Sequence, residues 1–336
     1  MFRSRPRLAA IAATTVAAAL ALTGCASGSS SSGPASASLQ LGWIANVENM
    51  GPYIAERDGD FAANGVDVTI TPGGPSVSVE PLVQSGKALV GLGSTDGVAR
   101  ANAEGAALVI VGATLQTNPT SIMSLASNPV STLSDLVGKR LCIQTSGVAV
   151  MQGVLGQNGI DPSSVQFVTA DFDPSPLVAG DCDAFVSLLN NQPVTLKLQG
   201  IETTSFLLAD YGYEAWGNVL FTKRSALADQ GTRAAVRGIV AGVRAGWTTA
   251  LADTDAAAAY MVDGPGASQN LDLEQQKLAA AAFIPLVQTD DTRANGLLSM
   301  SASGIAANIA TLRAQGIQGN LDNLFDSSIL DELKNS

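Results

Sequence analysis

The sequence contains no histidine. Ser-His-Asp and Cys-His catalysis are therefore excluded, and so are zinc sites that use histidine ligands. No P-loop pattern and no Cys-x-x-Cys pair occurs. Basic residues are also scarce, because 18 Lys and Arg stand against 29 Asp and Glu, for a formal charge of −11. Nucleic acid is not expected as a partner of so acidic a chain.

Cysteine is rare, with three in the chain. Cys142 and Cys182 lie beside strands that we expect in the same half of the fold. A disulfide between them is one possibility in an exported protein, and two separate buried thiols are the other, since free cysteine often packs in cores. The sequence leaves the two alternatives open.

The N-terminus has the features of an export signal. Three arginines precede an uncharged, Ala-rich apolar run over 8–22, which is short for a membrane-spanning helix. The run ends on Leu-Thr-Gly-Cys at 22–25, which resembles the bacterial lipobox and implies cleavage before Cys25 and lipid attachment to its sulfur. Ordinary secretion with a chance cysteine is the alternative. We expect 1–24 to be a lipoprotein signal peptide and the mature chain to be anchored by lipid at the extracytoplasmic face of the cell membrane.

The region 25–38 follows this signal and consists, after the cysteine, of Ser, Gly and Ala with one Pro. It shows no apolar periodicity, which is typical of a flexible tether. Strands and helices then alternate over 39–221, the pattern of a parallel or mixed sheet with helices on its faces. After about Ser225 the pattern is helical and rich in Ala and Leu, and its last two predicted helices cover 296–315 and 320–334.

These patterns predict an α/β fold of two lobes with a helical C-terminal tail. The first lobe would contain 39–114 and 217–336, and the second would contain 118–213. The chain would cross between the lobes twice, and the two crossings would form a hinge.

Hydrogen-bonding residues follow most of the predicted strands at their carboxyl ends. Ligands of open α/β sheets bind at these ends, close to helix N-termini. No catalytic residue, metal ligand or cofactor is predicted. The candidate ligand-binding residues are Trp43, Asn46, Glu48, Gly74, Ser94, Thr95, Asp96, Gln116, Thr145, Ser146, Gly147, Asn190, Asn191 and Tyr211.

Each candidate also has an ordinary structural explanation. Ser94 and Thr145 are residue types that cap helices, Asn190-Asn191 suits a turn, and Trp43 suits a core. Their coincidence on one face of two lobes is what indicates a binding cleft.

The candidate residues include no Lys or Arg, although anion sites usually offer bidentate arginine or many N–H donors. Aromatic residues provide flat faces, and Asn, Gln, Asp and Glu suit the edge of a heterocycle. The composition therefore favours a neutral or cationic aromatic ring over a small anion.

Four stretches of the sequence are distinctive. They are "LGWIANVENMGPYIAERDGDFAANGVDVTITPGG", "GLGSTDGVARANAEG", "DAFVSLLNNQPVTLKLQGI" and "ADYGYEAWGNVLFT". These stretches are similar to the NMT1/THI5-like group of proteins. Together with the lipobox, the tether and the two lobes, they resemble the type II periplasmic-type solute-binding protein of an ABC importer. The resemblance covers about 39–225.

The resemblance implies a monomeric receptor that closes over a small ligand and delivers it to ABC permease and ATPase subunits. It implies that Trp43 and Asn46 face a ligand ring, that 94–96 and 145–147 line its two sides, and that Tyr211 closes the site at the hinge. Because "SLLNNQP" replaces the group's aromatic-Thr-Asn-Glu-Pro pattern at the presumed pocket wall, the ligand is not carried over from any one member.

Members of this group bind thiamine-pyrimidine precursors, riboflavin, alkanesulfonates, taurine or nitrate. We expect a thiamine-related pyrimidine here, with riboflavin as the second choice and a sulfonate or nitrate as the third. The group's enzymes carry a cysteine-rich iron motif and an active-site histidine. This sequence has neither, so we do not expect an enzyme. A surface sensor or adhesive lipoprotein on the same scaffold is the remaining alternative.

Overall fold

The computed structural model describes residues 35–334, in which two five-stranded sheets are each covered by helices. The predicted signal peptide, Cys25 and most of the predicted tether lie outside these residues. The strands are β1 (Ala35–Leu41), β2 (Val66–Thr71), β3 (Val90–Gly93), β4 (Leu108–Ala113), β5 (Thr120–Leu125), β6 (Arg140–Ile143), β7 (Gln166–Thr169), β8 (Ala184–Leu188), β9 (Thr203–Leu207) and β10 (Val219–Lys223).

Helices fill the connections between strands and make up most of the C-terminal region. They are α1 (Met50–Asp58), α2 (Asp60–Ala63), α3 (Val79–Gln84), α4 (Thr95–Ala103), α5 (Val148–Gln157), α6 (Ser175–Ala179), α7 (Gln192–Leu198), α8 (Arg224–Ala228), α9 (Gln230–Ala252), α10 (Thr254–Asp263), α11 (Leu273–Val287), α12 (Asp290–Asn295), α13 (Ala302–Ala314) and α14 (Ser328–Lys334). Among the described residues, no helix is both long and apolar enough to cross a bilayer.

Both sheets are mixed, and each contains one strand that runs against its neighbours. The first sheet has the order β2-β1-β3-β10-β4, with β10 antiparallel to β3 and β4. The second has the order β7-β6-β8-β5-β9, with β5 antiparallel to β8 and β9. The predicted α/β class with two lobes is confirmed.

The chain crosses between the sheets twice, after β4 and before β10, and the two crossings are bonded to each other. The Thr114 N–H donates to the Asn218 carbonyl at 2.8 Å. Asn118 Nδ2 donates to the Ala215 carbonyl at 2.8 Å. Two adjacent strands of chain joined in this way form a narrow hinge between lobes.

The first strand begins at Ala35, four residues before the predicted start at Leu39. The tether prediction is wrong for these residues, because Ala35 to Ser38 pair in register with Val66 to Thr69 of β2. Their small, partly exposed side chains gave no apolar alternation, since this part of the strand depends on backbone hydrogen bonds.

The tail covers the open edge of β4, which explains why its last helices are shorter than predicted. Leu298 forms a β-bridge with Ala113, and Phe325 forms one with Ile110. An edge strand left bare would expose unpaired N–H and C=O groups. The chain therefore leaves the helical conformation at 298 and 325, where the sequence pattern predicted continuous helix.

Helix α1 lies directly on α9 because glycines meet at their contact. A Cβ atom added to Gly246 would overlap the Gly51 carbonyl oxygen and would stand 2.7 Å from the Ala55 amide nitrogen. Trp247 and Ile54 are buried beside this contact. This packing fixes α1, and with it the loop that leads from β1 into α1.

In the second lobe, Cys142 and Cys182 form a disulfide with a Cα–Cα distance of 5.7 Å. Both residues are buried, and they pack with Phe185, Leu177 and Leu196 in a small core of their own. Of the two alternatives that the sequence left open, the structure has the disulfide.

Candidate functional site

A cavity of about 670 Å³ lies between the two sheets. A volume of this size is typical of small-molecule sites. The first lobe contributes residues that follow β1 and β3, together with the residue before β10. The second lobe contributes residues that follow β7 and β8. Helix α11 forms a third side. The polar and aromatic lining residues are Trp43, Asn46, Glu48, Asn49, Glu80, Ser94, Phe172, Asn190, Asn191, Asn218, Gln275 and Gln276.

Glu48 is held at the base of the first lobe's side by two neighbours. Its backbone N–H donates to Asn46 Oδ1 at 3.1 Å, which starts the turn that leads into α1. Its Oε1 accepts a hydrogen bond from Asn218 Nδ2 at 3.1 Å. Burial raises the pKa of the Glu48 carboxyl, and the bond from Asn218 opposes part of that rise. One carboxylate oxygen therefore remains available to a ligand donor.

Asn190 provides a second acceptor on the opposite side of the cavity. The residue is 7% exposed, and its Oδ1 atom has no hydrogen-bond donor among the described residues. Buried amide oxygens without a partner are rare, because each costs about 1–3 kcal/mol. A ligand N–H or O–H group would remove this cost.

Two aromatic rings face each other across the cleft. The ring centroids of Trp43, in the first lobe, and Phe172, in the second, are 6.2 Å apart with an interplanar angle of 54°. Phe172 is 57% exposed, which is unusual for so large an apolar side chain. Flat, apolar faces from both lobes are thus presented to whatever enters the cavity.

A smaller cavity of about 290 Å³ adjoins the first one and shares Phe172 and Leu188 with it. Its rim contains Asp96 from the first lobe, Ser146 from the second lobe and Tyr213 from the hinge segment. Burial raises the pKa of the Tyr213 hydroxyl, and the nearby Asp96 carboxylate raises it further.

The two cavities carry negative charge only. Glu48, Glu80 and Asp96 line them, and none of their described lining residues is Lys or Arg. Arg100 forms a long ion pair with one of these carboxylates, with its Nε 3.9 Å from Asp96 Oδ2. Such a surface suits ligands that are neutral or cationic and rich in N–H donors.

Residues 46–257 match the family described as NMT1/THI5 like, which is well over half of the chain. The chain belongs to the NMT1/THI5-like family. The resemblance seen in the sequence is thereby confirmed.

Several individual proteins are similar to this family member. A Haemophilus influenzae protein whose name refers to thiamine biosynthesis is 26% identical over 59% of this chain, and the match spans 64% of that relative, less than two thirds of its length. The formylaminopyrimidine-binding protein of Halalkalibacterium halodurans is 25% identical over 74% of this chain and 72% of its own. A 4-amino-5-hydroxymethyl-2-methylpyrimidine phosphate synthase of Legionella pneumophila is 27% identical over 47% of this chain and 51% of its own.

Among solved structures, the aliphatic sulphonate binding protein SsuA of Escherichia coli matches with a TM-score of 0.62 at 16% identity. The match covers 83% of this chain and 86% of that protein. At this identity the likeness shows the fold alone. The NMT1/THI5-like chain therefore has the two-lobe fold of periplasmic binding proteins.

The structure brings most of the sequence-predicted residues of this NMT1/THI5-like chain to the two cavities. The main cavity contains Trp43, Asn46, Glu48, Ser94, Asn190 and Asn191. The side cavity contains Asp96, Ser146 and Gly147. The strand-end argument thus selected residues from both lobes that the fold places around one cleft.

Five predicted residues line neither cavity. Thr95 is buried and donates to the Trp216 carbonyl at 3.0 Å, and Gln116 donates to the carbonyls of Ala113 and Ser299 at 2.9 Å. Both side chains therefore hold the hinge and the tail in place. The others are Gly74, Thr145 and Tyr211.

Tyr211 was expected to close the site at the hinge, but its ring packs edge-on against Phe206 at 5.3 Å. Tyr213, two residues later, lines the side cavity instead. Thr145 is solvent-exposed, and Gly74 lies beside Ile44 at the turn after β2.

The candidates did not include several lining residues, among them Phe172, Asn218 and Gln275. Phe172 follows β7, so the strand-end rule applies to it, but it was not among the candidates. Asn218 precedes β10 and reaches the cleft because β10 runs antiparallel to its neighbours. Gln275 belongs to the tail helix α11, for which the sequence gave no indication of a site.

Proposed function

We propose that this chain is the lipid-anchored, extracytoplasmic receptor of an ABC importer and that it binds an aminopyrimidine related to thiamine. The fold and the family support the receptor role. The hydrogen-bond acceptors that line the cleft support an aminopyrimidine as the ligand. The anchor would be Cys25, and the lobes would be those predicted from the sequence with the first one begun at the observed start of β1, so that 35–114 and the chain from 217 onward close against 118–213.

The observation that carries the ligand assignment is the pairing of Glu48 with Asn190 across the main cavity. Asn218 donates to one oxygen of the Glu48 carboxylate and leaves the other, and no described residue donates to Asn190 Oδ1. An aminopyrimidine presents an amino group at its edge and a flat face on each side. The edge would donate to these acceptors, and one face would pack against the aromatic pair formed by Trp43 and Phe172.

A sulfonate is disfavoured by the same surface. Three oxygens that share a negative charge would meet carboxylates, and no lining Lys or Arg within 35–334 would balance them. The similarity to a sulphonate-binding structure extends to the fold, whereas the charge of the cleft is a property of this chain.

The chain also offers no catalytic constellation to support a synthase. It has no histidine, and the described residues contain no cluster of three metal-ligating side chains. We therefore propose capture and delivery as a monomer to permease and ATPase subunits, with no chemical step.

The test is a binding screen of the purified protein by calorimetry and thermal shift. The ligands are 4-amino-5-hydroxymethyl-2-methylpyrimidine, riboflavin, taurine and a longer alkanesulfonate. A ligand present at 100 times its Kd should add about 2.7 kcal/mol to the free energy of unfolding. Binding of a sulfonate alone would contradict the proposal.

Asn190→Ala serves as the diagnostic variant. It removes an acceptor that has no donor in the protein, so pyrimidine affinity should fall about tenfold while the melting temperature does not fall. Asn320→Ala is the matched control, since Asn320 is exposed and far along the chain from the cleft. Equal affinities in the two variants would remove Asn190 from the site.

A further inference from the structure

The main and side cavities are separated by two residues that both cavities share, Phe172 and Leu188. Gln192 holds this partition from behind. Its Nε2 donates to the Phe172 carbonyl at 3.1 Å, and its Oε1 accepts from the Leu188 N–H at 2.8 Å. Gln192 is 2% exposed, so the partition is braced from within the second lobe. The two spaces are neighbours across one aromatic side chain.

The side cavity is chemically distinct from the main one. Its floor is apolar, formed by Ile143, Met151 and Val186, which are at least nine-tenths buried. Its rim is polar, with Asp96 and Tyr213 on one side. An apolar floor beneath a carboxylate suits a ring or short chain that carries a positive charge or a hydroxyl group.

The hydrogen-bonding groups of the two cavities are separate. Glu48 and Asn190 line the main cavity alone, and Asp96 lines the side cavity alone. The side cavity, at about 290 Å³, has room for a substituted ring, since an apolar cavity of about 150 Å³ accommodates benzene. One aminopyrimidine held by Glu48 and Asn190 would therefore leave Asp96 without a ligand group.

We propose that the cleft binds a two-part ligand: an aminopyrimidine in the main cavity, joined to a cationic or hydroxyl-bearing group in the side cavity that Asp96 recognises. This proposal rests on the aminopyrimidine function proposed above. The linker between the two parts passes Phe172, which places the second group on the second-lobe side of the cleft. Contacts from one ligand to both cavities would favour the closed state of the lobes.

The test compares two probes that share the same pyrimidine. Both probes contain 4-amino-2-methylpyrimidine and differ in the substituent at position 5. In thiamine this substituent is a methylene group linked to a cationic ring with a hydroxyethyl chain, whereas in 4-amino-5-hydroxymethyl-2-methylpyrimidine it is a hydroxymethyl group. The quantity measured by calorimetry is the ratio of their Kd values on the full-length protein. Thiamine should bind at least about tenfold more tightly to the wild type, as expected for one charge-assisted contact in a partly buried site.

Two variants address the side cavity in different ways. Asp96→Asn removes the charge, and Ser146→Trp fills the space from an exposed position. Each should bring the ratio toward one, while Glu104→Gln, a matched exposed carboxylate, should keep the wild-type ratio. Melting temperatures identify any variant that has lost its fold, and the other variant then decides.

The outcomes separate the two proposals. Pyrimidine binding with a ratio near one in the wild type, or a ratio that both variants keep, overturns the two-part ligand and leaves the aminopyrimidine function standing. If neither probe binds, the aminopyrimidine function falls and the two-part ligand falls with it.

Discussion

The two walls of the cleft are held in place by different means. The first wall, residues 42–49 of the first lobe, is bonded from within and from behind. Asn49 Nδ2 donates to the Ile44 carbonyl at 2.9 Å, and the Val47 N–H donates to Gln276 Oε1 at 3.2 Å. The second wall, residues 144–147 with Phe172, is also bonded, because Gln192 Nε2 donates to the Phe172 carbonyl at 3.1 Å, but its side chains are less buried. Gln144 Nε2 donates to the Asp171 carbonyl at 3.0 Å, while Phe172, Thr145 and Ser146 are exposed.

The supports behind the walls differ as well. The first wall leads into α1, which packs closely on α9 through Gly51 and Gly246. The second wall follows β6, which the disulfide from Cys142 ties to Cys182 just before β8. A wall that is bonded in the free protein is already arranged to orient a ligand, and an exposed wall can still move. We therefore expect the first lobe to orient a ligand and the second lobe to close over it.

Removing the disulfide tests the support of the second wall and should cause the largest change in free energy among these predictions. The bridge closes a loop across a sequence separation of 40 residues, for which chain entropy predicts a stabilisation of about 4 kcal/mol. The double variant Cys142→Ala, Cys182→Ala should lose roughly this amount in denaturant unfolding. Wild type under reducing conditions is the matched comparison. A loss below about 1 kcal/mol would mean that the second lobe does not depend on the bridge.

Removing the two aromatic rings tests the division between orientation and closure. Trp43→Ala should weaken pyrimidine binding by about 2 kcal/mol, roughly thirtyfold in Kd, because a large ring fixed on a bonded wall is lost. Phe172→Ala should cost about 1 kcal/mol, because an exposed ring must first be ordered. Calorimetry measures both. Equal losses, or a larger loss for Phe172→Ala, would reverse the assignment of the walls.

The fold was largely predictable from the sequence, because period-two alternation and buried apolar runs mark strands well. β2 alternates between buried and outward residues, and β4 is buried along its whole length. The start of β1 was not predictable, since Ala35 to Ser38 pair through their backbone. The bridging segments at Leu298 and Phe325 were missed for a related reason, because the edge they cover is more than 180 residues away in sequence.

The site was predictable where a polar residue follows a parallel strand, as Glu48 and Asn190 do. It was not predictable where tertiary structure decides which residue reaches the cleft. Asn218 lies at the start of an antiparallel strand, and Gln275 comes from a tail helix that contacts the second lobe through Thr195. The choice between Tyr211 and Tyr213 depends on how the hinge segment turns, which side-chain chemistry alone does not reveal.

The ionisation of Glu48 provides a test of whether the first wall is destabilised by a buried carboxylate before a ligand binds. Burial raises its pKa above the ordinary value of 4.5. The contribution of this group to stability is thus fully present below pH 4.5 and is lost as pH rises through the folded-state pKa. Glu48→Gln has no carboxyl group to ionise and should not lose stability in this way. The unfolding free energy of the variant minus that of the wild type should therefore be larger at pH 7 than at pH 4.

The pH dependence of ligand affinity at Glu48 should run opposite to the pH dependence of its contribution to stability. A ligand N–H group stabilises the ionised carboxylate, so the affinity of the wild type should rise with pH through the Glu48 pKa. Glu48→Gln should abolish that rise and weaken binding at pH 7 by about tenfold. Titration of the free ligand is the same in both experiments and is removed by the ratio of the two affinities. A pH profile shared by wild type and variant would show that Glu48 does not face the ligand's donor.

The smallest effects are expected from the two hinge-side tyrosines, and they sharpen the boundary of the second wall. Tyr213→Phe removes a hydroxyl from the rim of the side cavity, next to Asp96, and should weaken thiamine binding by about threefold. Tyr211→Phe keeps the ring that packs on Phe206 and removes a hydroxyl from outside both cavities, so affinity should change by less than about twofold. Both substitutions delete one oxygen within three residues of chain, which makes each the control for the other. If Tyr211→Phe had the larger effect, the second wall would extend beyond the side cavity to β9, and closure would bring Tyr211 to the ligand as the family resemblance first implied.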